Sequence, residues 1–150
     1  VRNVKGELIL PTEYEEPTMD ENKRRGMSTN FGIWWDGDLL RELLDHETVQ
    51  KYDWKTGRVN VIKRFDGRFN NGTKSNPCLS GDILGDWREE VLVRDAQSTM
   101  LKLYTTDIPT DHRITCLMQD VPYRLSIATE NVAYNQPPEP GFYLGVGMKK

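Results

Sequence analysis

Cysteine is scarce: the chain carries two, Cys78 and Cys116, which make neither a disulfide framework nor a zinc site. The simplest reading is a pair of buried thiols, and it leaves the redox compartment open. An excess of one charge sign is missing too. Twenty lysines and arginines stand against 23 aspartates and glutamates, a net charge of −3, so there is no broad basic field with which to grip nucleic acid. No apolar run approaches the roughly 18 residues needed to span a bilayer, and the opening VRNVKGELIL has neither the basic nor the apolar region of a signal peptide. The chain reads as soluble. Helical periodicity is weak as well. Short apolar runs separated by Gly, Asp and Asn turns take its place, which is the pattern of an all-β chain, and 150 residues accommodate one domain.

Three kinds of chemistry are packed into residues 70–95, NNGTKSNPCLSGDILGDWREEVLVRD. The Asn71-Gly72 pair accepts positive φ and holds Thr73 and Lys74 out on a tight loop. Asp82, Asp86, Glu89 and Glu90 then surround Gly85. They form a bent acidic loop whose oxygens can wrap a hard cation such as Ca²⁺. The span closes on a strand, Val91-Leu92-Val93.

The first thirty residues, with Pro11, Pro17 and a charged cluster between them, read as a polar lead-in or the cut end of a preceding unit. Only residues 7–10 offer a strand there, and the first strong one is expected at residues 31–35. An internal repeat follows. Gly37-Asp38-Leu39-Leu40-Arg41-Glu42-Leu43-Leu44 aligns with Gly85-Asp86-Trp87-Arg88-Glu89-Glu90-Val91-Leu92 at an offset of 48 residues. The first copy leads to strands over 49–54 and 58–62 around a Lys55-Thr56-Gly57 turn, and the second to a strand over 99–104. A period of 40–50 residues with three or four short strands is the signature of β-propeller blades; a chance likeness within an ordinary β-sandwich is the competing reading. Residues 112–118 and 123–128 are expected as a strand pair about the turn 119–122. The Pro-rich tail around 131–141 is expected as a structured loop.

The runs NGTKSNPCLSGDILGDWREEVLVR and LYTTDIPTDHRITCLMQDVPYRLSIATENVAYNQPPEPGFYLG, with STNFGIWWDGDLLRELLD ahead of them, resemble the C-terminal part of the rhamnogalacturonan lyases of polysaccharide lyase family eleven. The resemblance covers residues 28–145, and its motifs DILGDWREE and NVAYNQPPEPGFY are long and correctly ordered. It implies the C-terminal blades of an eight-bladed, Ca²⁺-binding β-propeller over residues 31–145, with 146–150 as a tail. It also implies a secreted or cell-envelope enzyme that cleaves the rhamnose–galacturonate backbone of pectin, rhamnogalacturonan I, by β-elimination. Blades absent from so short a chain, or other chains, would have to cover its end faces.

Such chemistry needs the uronate carboxylate neutralised, a base for the adjacent carbon's proton, and help for the leaving oxygen. By resemblance, Asn71, Gly72, Thr73 and Lys74 belong to the substrate cleft. Lys74 would pair with a galacturonate carboxylate, and Tyr134 would stack on a sugar or exchange a proton. On the residues alone, Lys74 also reads as a solvated loop lysine and Tyr134 as a core anchor. Asp82, Asp86 and Glu90, and more weakly Asp36, Asp38 and Glu42, are candidate Ca²⁺ ligands; capping of turns or pairing with Arg41 and Arg88 is the alternative. A non-catalytic, calcium-stabilised binding module is the second functional reading. It requires the acidic loops but no cleft shared by Lys74 and Tyr134.

Overall fold

The structure, a computed structural model, describes residues 4–7, 29–72, 74–132 and 135–148. Thr73, Tyr134 and most of the strand expected at residues 7–10 lie outside the described residues.

Among the described residues, seven strands make two antiparallel sheets. The first is a meander of β1 (Gly32–Ile33), β2 (Glu42–Asp45), β3 (Thr48–Asp53) and β4 (Arg58–Arg64), in sequence order. The second holds β5 (Leu79–Gly81), β6 (Glu90–Arg94) and β7 (Leu101–Tyr104), again in order. Aspartate chemistry sets the hairpins. Asp53 accepts from Lys55 N and Thr56 Oγ1, and the Gly57 N–H closes onto Asp53 O at 2.7 Å. At the β6–β7 turn, Asp95 accepts from Thr99 N, Thr99 Oγ1 and Met100 N.

The two sheets share a core. Ile33, Leu44 and Val49 from the first meet Val91 and Val93 from the second, with Phe65 and Phe69 of the connecting segment wedged between them. Phe65 lies edge-on to Trp35 at 5.7 Å between ring centroids and 4.9 Å from Tyr104. The connection passes so close to β6 that a Cβ on Gly67 would stand 2.5 Å from Val93 Cγ1 and 2.6 Å from Arg94 O, so only glycine fits. Trp34 and Trp87 belong to a second cluster with Leu117, Tyr123 and Leu144.

The strand pair expected over 112–118 and 123–128 is not there. A 3₁₀ turn, Leu117–Gln119, runs into a helix, α1 (Val121–Thr129). Asp120 caps the helix by accepting from Tyr123 N at 3.0 Å, and Pro122 sits in its first turn, where a missing N–H leaves no bond unmade. The first strong strand is also shorter than its apolar run suggests. Only Gly32–Ile33 pair, because the N–H groups of Trp34 and Trp35 go to the side chains of Glu89 and Glu42. The described fold is therefore mostly β-sheet with one helix, and no described helix is long and apolar enough to cross a membrane.

Candidate functional site

The loop between the sheets is closed by its own backbone. Asn70 and Asn76 exchange N–H···O bonds of 2.7 and 3.1 Å across its neck, and the N–H groups of Lys74 and Ser75 both return to Asn71 O at 3.0 and 2.6 Å. Asn71 takes the positive φ expected of it (55°), while Gly72 stands exposed at the tip. Lys74 is half-buried on the far side of this turn. A second loop lies alongside. Asn71 Nδ2 reaches Asn135 Oδ1 at 3.5 Å, Asn135 Nδ2 donates to Asn131 Oδ1 at 2.7 Å, and Asn131 Nδ2 donates to Cys78 O at 2.6 Å. The structure thus links Asn71 to Asn135 and, through Asn131, to Cys78; Tyr134 itself lies outside the described residues.

The sequence repeat is a repeat of geometry. Gly37 and Gly85 have φ of 85° and 84°. Glu42 Oε2 accepts from the N–H groups of Trp35 and Asp36, and Glu90 Oε2 from those of Ile83 and Leu84, at offsets of seven and six residues in both copies. Asp38 and Asp86 each accept from the N–H two residues on. The copies part at the strand opposite. One step beyond the Leu43–Gln50 pair, Lys51 Nζ meets Glu42 Oε1 at 2.7 Å; one step beyond Val91–Tyr104, Thr105 Oγ1 takes the same place on Glu90 Oε1 at 3.1 Å.

That difference decides which acidic loop gathers its charges. Oxygens of Asp36, Asp38 and Glu42 lie within 4.8 Å of one another, a carboxylate set that could hold a metal ion. Lys51 Nζ stands among them, 2.7, 2.6 and 2.7 Å from the three carboxylates. Burial pushes Glu42 up to about 7 against the pull of Lys51, and the three carboxylates hold the Lys51 ammonium above the ordinary lysine range. Asp82, Asp86 and Glu90 do not converge in this way, because each is committed elsewhere. Asp82, fully buried, accepts from Leu117 N at 2.6 Å; Asp86 pairs with Arg88; Glu90 is bound by Ile83, Leu84 and Thr105. The weaker-looking copy in the sequence is the one that forms a cation-sized cluster.

Behind these loops is a buried acidic network. Glu89 accepts from Trp34 N at 2.9 Å and from Tyr123 Oη at 2.7 Å, and Tyr123 Oη accepts from Asp82 N at 2.9 Å. Arg41, stacked 4.3 Å over Trp34, approaches Glu89 at 3.7 Å and pairs with Glu139 at 2.6 Å, which ties the Pro-rich tail to the first sheet. Glu130 accepts from both Ser80 N and Ser80 Oγ, and burial pushes it up to about 7. Burial also raises Glu89. Lys51 and Glu130 had no motif to mark them; only strand register and the helix bring them to their partners. His112 lies edge-on to Trp87 at 6.2 Å, and both cysteines are free and half-buried.

Comparison with known proteins identifies the family. The description "Rhamnogalacturonan lyase family 11, C-terminal domain" matches residues 13–150. The chain belongs to this family. It is 56% identical over 122 residues to the rhamnogalacturonan endolyase YesW of Bacillus subtilis (strain 168), covering 81% of this chain and 20% of that protein. With the rhamnogalacturonan exolyase YesX of the same organism it shares 51% identity over 132 residues, 82% of this chain and 22% of that one. The crystal structure of YesW superposes with a TM-score of 0.79 at 55% identity over 82% of this chain and 21% of that chain. The Bacillus licheniformis rhamnogalacturonan lyase PL11 does so with a TM-score of 0.79 at 56% identity over 81% and 21%. This member of rhamnogalacturonan lyase family 11 thus spans about a fifth of the length of the relatives it matches.

Proposed function

We propose that these residues form one wall of the cleft in which a rhamnogalacturonan lyase cleaves its substrate by β-elimination. The observation that supports this reading is the contact between Asn71 and Asn135, which stand three residues before Lys74 and one after Tyr134 in the sequence. A cationic and a phenolic side chain facing one cleft would suit a uronate. The ammonium offsets the carboxylate charge, so that the proton on the carbon beside it becomes acidic. A base then takes that proton, the bond from the next carbon to the glycosidic oxygen breaks, a carbon–carbon double bond forms, and the leaving oxygen is protonated. That the relatives are named as lyases favours this reading over a non-catalytic binding module. Similarity to both an endolyase and an exolyase points to a part of the cleft common to the two modes.

In this reading the two sheets are consecutive blades of a β-propeller, with other blades covering their outer faces, and the enzyme works outside the cell or at its envelope. Calcium belongs to the reading through Asp36, Asp38 and Glu42, whose oxygens fit a hard cation and which would hold it with Lys51 displaced; its contribution there is to fix the loop.

The test is the appearance of unsaturated uronate, by ultraviolet absorbance, on rhamnogalacturonan I. These 150 residues alone should show little or no activity, because a half-built site lacks the orientation and charge stabilisation that supply most of the rate. A chain as long as the relatives that carries these residues should be active, and Lys74→Ala or Tyr134→Phe should each lower kcat/KM by roughly a hundredfold or more. Indifference of that enzyme to both substitutions would remove them from the chemistry.

A further inference from the structure

A polar cavity of about 560 Å³ opens between the β2–β3 turn, the segment joining β4 to β5, and the end of the β6–β7 hairpin; His46, Glu47, Arg68, Asn71, Gly72 and Arg94 are on its wall. Left-handed backbone is concentrated on this wall. Six non-glycine residues among those described have a left-handed φ, and four of them, His46 (45°), Glu47 (56°), Asn71 (55°) and Ser75 (53°), line the cavity. His46 and Glu47 are the two-residue turn of the β2–β3 hairpin, where positive φ is ordinary; Asn71 and Ser75 hold their part of the wall in the same conformation.

Two arginines belong to the same wall. The backbones of Arg68 and Arg94 face each other across a bridge in which Arg68 N donates to Arg94 O at 2.8 Å. Arg94 is oriented by its neighbours: Nε donates to Asn70 Oδ1 at 3.3 Å and Nη1 to Ser98 Oγ at 3.0 Å, with Nη2 uncommitted to any described residue. Arg68 is exposed, and its side chain has no hydrogen bond or ion pair among the described residues. The carboxylate on the wall, Glu47, accepts instead from Phe69 N at 2.9 Å. Elsewhere the chain matches Arg41 to Glu89 and Glu139, and Arg88 to Asp86. Arg68 and Arg94 are the two arginines on this cavity wall, and neither has an ion pair with a described residue.

We propose that Arg68 and Arg94 form a carboxylate subsite for a second galacturonate of the polysaccharide, next to the one that faces Lys74. The identity of the ligand rests on the lyase reading; the cavity and its two cations do not. An alternating rhamnose–galacturonate chain bears a carboxylate on every second sugar, so a strand lying along the Asn71–Lys74 turn carries another acid past that turn. Asn71 and Gly72 form the boundary between the two positions, since they line the cavity and belong to the Lys74 turn. A guanidinium fork matches a carboxylate with two parallel hydrogen bonds, which an ammonium does not. The subsite thereby reads the acid spacing of the backbone and sets the register of the strand.

The experiment is calorimetric titration of this chain with rhamnogalacturonan oligosaccharides in the acid form and with the same oligosaccharides after reduction of their carboxyl groups to alcohols. The parent should bind the acid form at least about tenfold more tightly. Arg94→Gln and Arg68→Gln, with circular dichroism unchanged from the parent, should each lose about tenfold on the acid form and almost nothing on the reduced one. Arg94→Lys should recover only part of the loss. No binding by the parent, equal binding of the two forms, full affinity in both Gln variants, or displacement of the acid form by inorganic phosphate at equal concentration would each overturn the subsite. Should the acid preference and its loss in the arginine variants be seen while a chain as long as the relatives yields no unsaturated uronate, the subsite stands and the elimination chemistry falls.

Discussion

Glu130 and Lys51 show how single buried charges couple this chain to its solution conditions. Burial raises Glu130 from the usual carboxylate range, near 4.5, to about 7. Between those two values the folded state therefore holds a proton that the unfolded state has lost, so stability falls as pH rises from about 4.5 to about 7 and levels off above. Glu42 titrates in the same window and adds to the slope. Glu130→Gln keeps an acceptor for Ser80 N and a donor for Ser80 Oγ but carries no charge. Its melting temperature should fall less steeply across that window, and it should exceed the parent above neutrality by up to about 3 kcal/mol of stability. Parallel curves for the two proteins in thermal scans would show that Glu130 does not titrate in the fold. Lys51 poses the converse case. Lys51→Met leaves Asp36, Asp38 and Glu42 repelling one another, and should cost about 2 kcal/mol, between the roughly 0–1 of an exposed pair and the roughly 3–5 of a buried one. If the three carboxylates are a cation site, Ca²⁺ should raise the melting temperature of Lys51→Met more than that of the parent, and chelator should reverse the gain. A variant that gains nothing from Ca²⁺ would assign the cluster to Lys51 alone.

At the scale of elements, what could be read in the sequence was whatever depends on neighbours in the chain. The Lys55-Thr56-Gly57 turn, the Val91-Leu92-Val93 strand and the Asn71 turn all follow from local rules, and all are present. The repeat was legible through Gly37 and Gly85, and the structure gives its cause: each glycine turns the chain so that a glutamate five residues on can bind the N–H groups of the turn. Helix α1 was missed because Tyr123, Leu125 and Ile127 alternate with Arg124, Ser126 and Ala128 as a half-buried strand would. Yet Leu125 is exposed and Tyr123 is buried, so the alternation was not a record of burial. Asp120 before Pro122 was the better signal, a capping residue followed by a proline in the first turn. The acidic loops were ranked in reverse for a related reason. Counting carboxylates along the chain favoured residues 82–90, whereas convergence depends on what faces them across the sheet, and there Lys51 draws one set together while Thr105 adds no charge to the other. Arg68 and Arg94 were invisible on the same grounds, being brought together by a single bridge over 26 residues of chain.

For the molecule as a whole, the decisive feature is the face of the second sheet that points away from the shared core. Val91 and Val93 face inward and are fully buried, whereas Leu79, Leu92 and Leu103 are directly paired across the outer face, with Leu101 two residues from Leu103. Leu101 is 60% exposed and Leu103 47%, and Met100 at the head of β7 is 58% exposed. A contiguous leucine row on a sheet is an association surface, since covering it recovers about 25 cal/mol for each Å² of apolar area removed from water. Strand β7 is also the sheet's edge, with one row of backbone groups unpaired by any described strand. On the propeller reading the next blade covers this face. In these 150 residues alone it should be covered by another molecule, so sedimentation velocity should show mass rising with concentration. Replacing Leu101 and Leu103 together by lysine should return the chain to a monomer with its circular dichroism intact, because neither side chain contributes to the shared core. A parent that stays monomeric at high concentration would mean that the outer face is satisfied within this chain, and the case for neighbouring blades would lose its physical basis.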